Sequence, residues 1–110
     1  MEIRDKQVLT KILDETNIIE TMITGNDFKQ FTSDEKTKRA VCMTLINIGE
    51  LVKTLSEDFK LSNPSVPWKA IAGLRDVTAH RYQTLKMEDV WATVEYDLPK
   101  LKEELGKLIL

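Results

Sequence analysis

Apolar side chains recur three or four residues apart along most of this 110-residue chain, a spacing that places them on one face of a helix. The first series ends before Gly25 and Asn26 and consists of Val8, Leu9, Ile12, Leu13, Ile19, Met22 and Ile23. The second comprises Val41, Leu45, Ile48, Val52, Leu55 and Phe59. No stretch alternates with the two-residue period of a strand. The sequence therefore predicts an all-α fold, an up-and-down bundle of four or five helices.

Helix boundaries are indicated by capping residues and prolines. Thr32 lies three residues before Glu35, the spacing of a capping box, so we expect a long second helix to begin there. The SNPSVP stretch at residues 62–67 interrupts the pattern, and Pro67 suits the first turn of a third helix. This third helix should begin near Trp68 and end around His80.

The C-terminal apolar series contains one irregularity. It consists of Val90, Val94, Leu98, Leu101, Leu105 and Leu108. Pro99 lies within it, and a proline cannot donate a hydrogen bond to the carbonyl four residues earlier. The series therefore predicts either one kinked helix or two short ones.

Length and composition predict a single domain covering residues 1–110. No apolar run approaches the roughly 20 residues of a membrane span, and the first residues, MEIRDKQV, lack the apolar core of a secretory signal. We therefore expect a cytoplasmic protein that does not enter membranes. Cys42 is the only cysteine, which excludes an internal disulfide and any multi-cysteine metal site. We expect its side chain to be a small buried hydrophobe.

The chain carries a formal net charge of -2. Proteins that hold nucleic acid through many phosphate contacts usually have an excess of basic residues. Any contact with RNA is therefore expected to be local, brief or assembled by oligomerisation, and the candidates near the chain's only histidine are Lys69, Arg81 and Lys86.

That histidine lies in the stretch RDVTAHRY, residues 75–82. An unperturbed imidazole titrates near neutral pH, so acid–base chemistry in this chain would most simply use His80. Asp76 precedes His80 by four residues and so shares its face of a helix. A carboxylate in that position would orient the ring and raise the pKa of His80 by stabilising the imidazolium.

Arg75 lies five residues before His80, about 140° around a regular helix, so the two side chains do not share a face. Three arrangements would bring them together: the helix loosens before His80, the long arginine bends around it, or a second subunit completes the site across a two-fold axis. The spacing leaves these three open. A homodimer is the structural prediction, because a symmetric partner enlarges the core of a small bundle.

These residue types are sufficient to cleave RNA without a metal ion. The reaction needs a base for the ribose 2′-hydroxyl, an acid for the leaving 5′-oxygen and a guanidinium for the phosphate charge. The chain has no second histidine, no Cys/His ligand spacing and no glycine-rich phosphate loop. We therefore expect neither a metal nor another cofactor.

A purely structural interpretation of the same residues stands beside the catalytic one. A single histidine near a helix end often meets free carbonyls, and Arg75 with Asp76 can form a surface ion pair. Trp68 and Trp91 lie in apolar helical stretches, which favours packing over the stacking of bases.

The pattern R-x4-H-x-Y, formed by Arg75, His80 and Tyr82, resembles the motif of HepT-like toxins in the HEPN superfamily of ribonucleases. The flanking stretches also resemble that family: NIGE at residues 47–50, VPWKAIAGLR at 66–75, DVW at 89–91 and DLPKL at 97–101. The resemblance extends over about residues 40–102.

This resemblance implies an all-helical, HEPN-like homodimer that acts as a metal-independent endoribonuclease toxin of a type VII-like toxin–antitoxin pair. Arg75 and His80 would be the catalytic pair in a cleft between subunits, with Asp76 as the polar residue beside them. The antitoxin of such a pair is a minimal nucleotidyltransferase that transfers AMP from ATP to the motif tyrosine, here Tyr82. A bulky anion at that position would obstruct the cleft and repel a phosphodiester.

Two other interpretations belong to different functional classes. In one, the chain is a non-catalytic helical subunit that binds nucleotide or supports a minimal nucleotidyltransferase. In the other, it is a dimeric interaction module whose motif is only an ion-pair network. Cleavage of RNA that depends on His80 and Arg75 would distinguish an enzyme from both.

Overall fold

The computed structural model describes residues 1–73 and 84–109, and within these ranges the regular structure is helical. The first four helices are α1 (Ile3–Ile23), α2 (Phe28–Ser33), α3 (Glu35–Lys53) and α4 (Glu57–Ser62). A further helix, α5, includes residues 68–73. The C-terminal part consists of α6 (Met87–Ala92), a π-helical segment (Thr93–Asp97) and α7 (Leu98–Ile109). The prediction of an all-α fold is confirmed.

The core lies where α1 packs against α3 on one side and α7 on the other. Each of the three helices contributes apolar side chains that are at most 1% exposed: Leu9, Ile12, Ile19, Val41, Leu45, Ile48, Leu101 and Leu105. Burying one such side chain contributes about 1.5–3 kcal/mol. These residues belong to the apolar series of the sequence, so the series correctly identified the inward faces of the helices.

The first helix ends where the sequence predicts. It covers Ile3–Ile23, and Gly25 follows with a φ of 80°, a conformation that glycine adopts without steric cost. The N–H of Asn26 donates to the carbonyl of Ile23 at 2.9 Å. The turn therefore satisfies one of the carbonyls at the end of α1.

The predicted start of the second long helix is wrong. Thr32 is not a cap; it lies inside α2, where its hydroxyl donates to the carbonyl of Lys29. The capping box belongs to Asp27 and Gln30, which exchange side-chain and backbone hydrogen bonds of 2.8 and 2.9 Å. A fresh helix then begins after Asp34.

Asp34 caps α3 through two hydrogen bonds from Thr37. The Thr37 hydroxyl donates at 2.6 Å and the Thr37 N–H at 3.3 Å. These bonds, the hydroxyl's first, lower the pKa of the Asp34 carboxyl below its ordinary value. A carboxylate directly before the helix thus replaces the hydroxyl of Thr32 as the cap.

The apolar series of α3 also ends earlier than its pattern suggests. Phe59 continues that series but belongs to α4, which begins after a break at residues 54–56. Ser56 caps α4 by accepting from the N–H of Phe59 at 3.2 Å. The N–H and the hydroxyl of Ser56 donate in turn to Asp5 of α1, at 3.0 and 2.7 Å. Asp5 is only 2% exposed, so this contact fastens the start of α1 to the start of α4 inside the protein.

The sequence left open whether one kinked helix or two short ones surround Pro99. In the structure, the helical path is continuous from Met87 to Ile109. The N–H of Leu98 donates to the carbonyl of Thr93, five residues earlier, which is the hydrogen bond of a π-helix. Val90, Val94 and Leu98 are spaced by four and would drift about 80° around a regular α-helix. The wider π turn removes this drift, and all three side chains are at most 4% exposed.

One further expectation, about packing, is confirmed. Cys42 is buried in α3, and burial raises the pKa of its thiol to about 11. None of the described helices combines the length and the apolar character that a membrane span requires.

Candidate functional site

The motif itself, with Arg75, Asp76, His80, Arg81 and Tyr82, lies outside the described residues. The convergence of the Arg75 guanidinium and the His80 imidazole on one site therefore stays a prediction. The structure does describe the chain up to residue 73 and again from residue 84, and these two ends define where the motif is attached to the bundle.

The upstream attachment is α5, and Trp68 anchors it. The Trp68 side chain is 7% exposed, its ring lies 5.8 Å from that of Phe59, and its indole N–H donates to the carbonyl of Asn63 at 2.9 Å. Pro67 accepts the N–H of Ile71 at its carbonyl, so the helix begins at the predicted place. These contacts hold α5 against α4 only a few residues before Arg75.

The downstream attachment is α6, and Trp91 anchors it. Its ring lies 5.0 Å from Phe31 and 6.2 Å from Phe28, both in α2. Offset or tilted aromatic pairs at such distances stabilise packing beyond the area they bury. The prediction that both tryptophans serve as packing anchors is therefore confirmed by their contacts.

Two of the three predicted phosphate-binding cations are described. Lys69 lies on α5 and Lys86 is the residue before α6, and both are exposed. They stand six residues before Arg75 and four residues after Tyr82. Each end of the motif thus carries an exposed positive charge.

A groove of about 880 Å³ lies between α4 and α5, the helix that precedes the motif in sequence. Its lining is mainly apolar and includes Leu61, Pro64 and Trp68, with Lys60 and Lys69 among the polar residues. Lys60 forms an ion pair with Glu57 at 2.9 Å. Among the cations that line this groove, Lys69 is exposed and lies nearest to the motif in sequence.

A second cleft, of about 360 Å³, lies between α1 and α3. From α3 it contains Asn47, Glu50 and Leu51, so two residues of the NIGE stretch face it. From α1 it contains Lys11, Asp14 and Glu15. The sequence analysis gave these α1 residues no role, although their spacing of three and four places them on one helix face.

No group of three or more His, Cys, Asp or Glu side chains in residues 1–73 and 84–109 is arranged to hold a metal ion. The chain's histidine lies in the motif, and Cys42 is buried in the core with a raised pKa. A raised pKa keeps this thiol protonated near neutral pH, so Cys42 is unsuited to act as a nucleophile.

Comparison with known proteins assigns the chain to a family. The model of the family described as ribonuclease HepT-like matches residues 12–108. A protein of Thermococcus cleftensis named probable ribonuclease HepT is 36% identical over 103 residues, which are 94% of each chain. No solved structure matches the chain.

Two further relatives are named as RNases. One, from Caldanaerobacter subterraneus subsp. tengcongensis, is 33% identical over 101 residues, 92% of this chain and 90% of its own. The other, from Methanocaldococcus jannaschii, is 42% identical over 82 residues, 74% of this chain and 68% of its own. The helical bundle, the span of the family match and these relatives agree, and the chain belongs to the HepT-like ribonuclease family.

Proposed function

We propose that this protein is a metal-independent endoribonuclease in which Arg75 and His80 carry the reaction. The observation that carries the proposal is the R-x4-H-x-Y motif inside a chain that matches the ribonuclease family from residue 12 to residue 108. The exposed cations Lys69 and Lys86 at the two ends of the motif support it, because RNA is held through its phosphates. Arg81 adds a third cation within the motif.

The proposed reaction is an internal transesterification of RNA. His80 accepts the proton of a ribose 2′-hydroxyl, and the 2′-oxygen attacks the adjacent phosphorus. The bond from phosphorus to the 5′-oxygen breaks, and that oxygen takes up a proton from an imidazolium. The products are a 2′,3′-cyclic phosphate and a 5′-hydroxyl. Arg75 stabilises the extra negative charge on the phosphoryl oxygens during the attack.

A homodimer would supply two copies of His80, one as base and one as acid. Asp76, four residues before His80, would hold the ring in one tautomer and favour its protonated form. The site would then lie at the subunit interface, where Arg75 and His80 meet without sharing a helix face.

The biological role that fits this site is a cytoplasmic toxin controlled by a nucleotidyltransferase antitoxin. Tyr82 would accept AMP from ATP in an adenylyl transfer that releases pyrophosphate. The added nucleotide places a bulky anion two residues from His80, which would repel the substrate phosphate.

RNA cleavage tests the catalytic part of the proposal. Purified protein is incubated in EDTA with an oligoribonucleotide, and the product ends are identified by mass spectrometry. We expect cyclic phosphate and 5′-hydroxyl ends, a loss of at least 100-fold in His80→Ala and Arg75→Ala, and full activity in Lys100→Ala. A substrate with a 2′-deoxyribose at the cut position should resist cleavage. Equal activity in the His80 and Arg75 variants would refute the proposed roles.

Adenylyl transfer is tested separately with ATP and the cognate nucleotidyltransferase. The wild-type chain should gain the mass of AMP and lose RNA cleavage, whereas Tyr82→Phe should gain no mass. A mass gain that persists in Tyr82→Phe but disappears in Tyr96→Phe would move the acceptor to the other tyrosine.

A further inference from the structure

Asp5, in the first turn of α1, is the one buried side chain with a formal charge among the described residues, at 2% exposed. Its two oxygens accept from the N–H of Ser56 at 3.0 Å and from the Ser56 hydroxyl at 2.7 Å. Removing a carboxylate from water is costly, and apolar groups of the same shape are often as stabilising as a buried polar pair. Stability alone therefore does not explain this carboxylate, whereas directional hydrogen bonds also fix the orientation of the elements they join.

Ser56 connects Asp5 to α4. It is the N-cap of that helix, and its hydroxyl, which donates to Asp5, also accepts from the N–H of Phe59 at 3.2 Å. Helix α4 has only six residues, and the most extensive helix pairings of the described chain, α1 with α3 and α1 with α7, do not include it. A short helix of this kind depends strongly on its terminal contacts for its place in the fold.

Phe59 connects α4 to α5 by two routes. Its ring lies 5.8 Å from the ring of Trp68. Its carbonyl accepts from the side-chain amide of Asn63 at 2.9 Å, and the carbonyl of Asn63 accepts from the indole N–H of Trp68 at 2.9 Å. Phe59 and Trp68 are both buried. The start of α5 is therefore held by α4, as α4 is held by Asp5.

Helix α5 leads to the first catalytic candidate. Arg75 follows Gly73, the last described residue of α5, by two positions, and two residues of chain extend at most about 7 Å. A displacement of α5 is therefore passed on to the residue whose guanidinium is proposed to bind the scissile phosphate. Misplacing a reacting group by about 1 Å can slow a reaction about 100-fold.

We propose that Asp5 is a positioning residue for the catalytic site. It fixes α4 through Ser56, and α4 fixes α5 through the contacts of Phe59 with Trp68, so Asp5 sets where the segment with Arg75 starts. In this role Asp5 acts through other residues and contacts no reacting atom. The inference rests on the proposed function and extends it, because the motif itself gives no sign of a residue in the first turn of α1.

The indole signals of the two tryptophans test the structural link. A nitrogen–proton correlation NMR spectrum shows one indole N–H signal for each, and Trp91→Phe identifies which is which. Asp5→Ala should shift the Trp68 signal, because releasing α4 alters the hydrogen bond that this indole donates, and should leave the Trp91 signal in place. Ser56→Ala should shift the same signal. A Trp68 signal that moves in neither variant would overturn the inference.

RNA cleavage tests the catalytic consequence. At saturating RNA, Asp5→Ala should lower kcat about 10-fold or more, with KM within about 2-fold of wild type, because only the stabilisation of the transition state is weakened. The pH profile should keep its shape, since His80 is unchanged. Ser56→Ala should lose as much, and the double variant no more than either single one.

A conservative substitution should restore the rate. In Asp5→Asn, the amide oxygen can accept from the Ser56 N–H and the amide nitrogen can donate to the Ser56 hydroxyl. We expect its kcat to lie within about 3-fold of wild type. An Asp5→Asn variant as slow as Asp5→Ala, although folded by circular dichroism, would contradict a role that depends on these hydrogen bonds.

The matched control is Ile19→Ala, which truncates a fully buried side chain of the same helix outside this network. The cavity that it leaves lowers stability. Its kcat should stay within about 2-fold of wild type at a temperature well below the unfolding midpoint of every variant. An equal loss of kcat in Ile19→Ala and Asp5→Ala would show that Asp5 acts through stability alone.

The two readouts separate this inference from the proposed function. If wild type does not cleave RNA but the Trp68 signal shifts as expected, the ribonuclease proposal fails and the link from Asp5 to α5 is supported. If wild type cleaves RNA through Arg75 and His80 but Asp5→Ala keeps its full kcat, the positioning role alone is refuted.

Discussion

At the scale of single residues, Asp5 shows how a carboxylate is accommodated inside the bundle. Both of its oxygens accept hydrogen bonds from Ser56, one from the N–H and one from the hydroxyl. A buried carboxylate without such donors would pay a large desolvation penalty. The pair therefore joins two helices that are 51 residues apart in sequence at these positions.

Replacing Asp5 by alanine should lower the free energy of unfolding by about 2–3 kcal/mol, because two charge-assisted hydrogen bonds are lost and the half-buried Ser56 donors lose their acceptor. Urea denaturation measures the change, with the exposed Glu95→Ala as a control within about 0.5 kcal/mol of wild type. In a double-mutant cycle with Ser56→Ala, the coupling should be about 1 kcal/mol or more. Additive effects would show that the two residues act independently.

Cys42 should be unreactive in the folded protein. Burial raises the pKa of its thiol from 9.0 to about 11, so hardly any thiolate exists at pH 8. A disulfide reagent such as Ellman's should label Cys42 only after denaturation. Rapid labelling of native protein at pH 8 would contradict the burial of this side chain.

The same shift predicts how stability depends on pH. In the unfolded chain the thiol ionises near pH 9, but in the folded protein only near pH 11. The stabilisation from a neutral buried thiol is therefore complete below pH 9 and is lost as pH rises through 11. Over that range, wild type should lose unfolding free energy relative to Cys42→Val, which has no thiol to ionise. Urea titrations at several pH values would detect this change. A constant difference would contradict the shift.

At the scale of elements, the π-helical segment amounts to one extra residue in the C-terminal helix. Deleting the exposed Tyr96 should convert the segment to regular α-helix, because the apolar series then returns to spacings of three and four. We expect the unfolding free energy to stay within about 1 kcal/mol of wild type. Urea denaturation and circular dichroism provide the measurement.

The matched control deletes Glu103 from α7, outside the π segment. This deletion rotates Leu105, which is fully buried, by about 100° away from the core. Its loss should cost about 2–5 kcal/mol. If both deletions destabilise the protein equally, the segment is not an extra residue that the core can do without.

The elements that could be predicted from sequence are those whose local sequence signals agree with one another. For α1, the apolar series and the pair Gly25–Asn26 agree, and the helix ends before that pair as predicted. Around α2, two capping-box spacings follow one another, Asp27–Gln30 and Thr32–Glu35, and the outcome depends on how Phe31 is buried against Trp91. Pattern alone does not contain that information. The π turn had a visible signal, the double spacing of four before Pro99, but its formation depends on burying Val90, Val94 and Leu98 together.

At the scale of the whole molecule, a net charge of -2 means that substrate binding must rely on few cations. Exchanging Lys69 and Lys86 for glutamine should weaken the binding of single-stranded RNA and flatten its salt dependence by about 0.7 per lysine in the log–log slope. Fluorescence anisotropy at several salt concentrations measures both effects, with Lys29→Gln/Lys100→Gln as the matched control. An unchanged slope would exclude the two lysines from the RNA contact.

The family was predictable from the sequence, whereas the residues and the geometry of the candidate site stay predictions. The pattern R-x4-H-x-Y and its flanking stretches resemble the HepT-like family, and the family match over residues 12–108 confirms that assignment. Whether Arg75 lies near His80 depends on tertiary and quaternary contacts that no local spacing encodes. The acidic cleft between α1 and α3 was missed for the same reason, since its two sides are more than 30 residues apart.

The two tryptophan anchors affect how a mutational survey of this enzyme should be interpreted. Trp68 and Trp91 hold the supports on either side of the motif, and neither is a candidate for touching RNA. If Arg75 and His80 act as proposed, substituting either tryptophan would displace these groups without removing them, and turnover would fall although no reacting atom had been lost. A ranking of variants by lost activity alone would therefore confuse scaffolding with chemistry, and a thermal melt of each variant is needed to tell them apart.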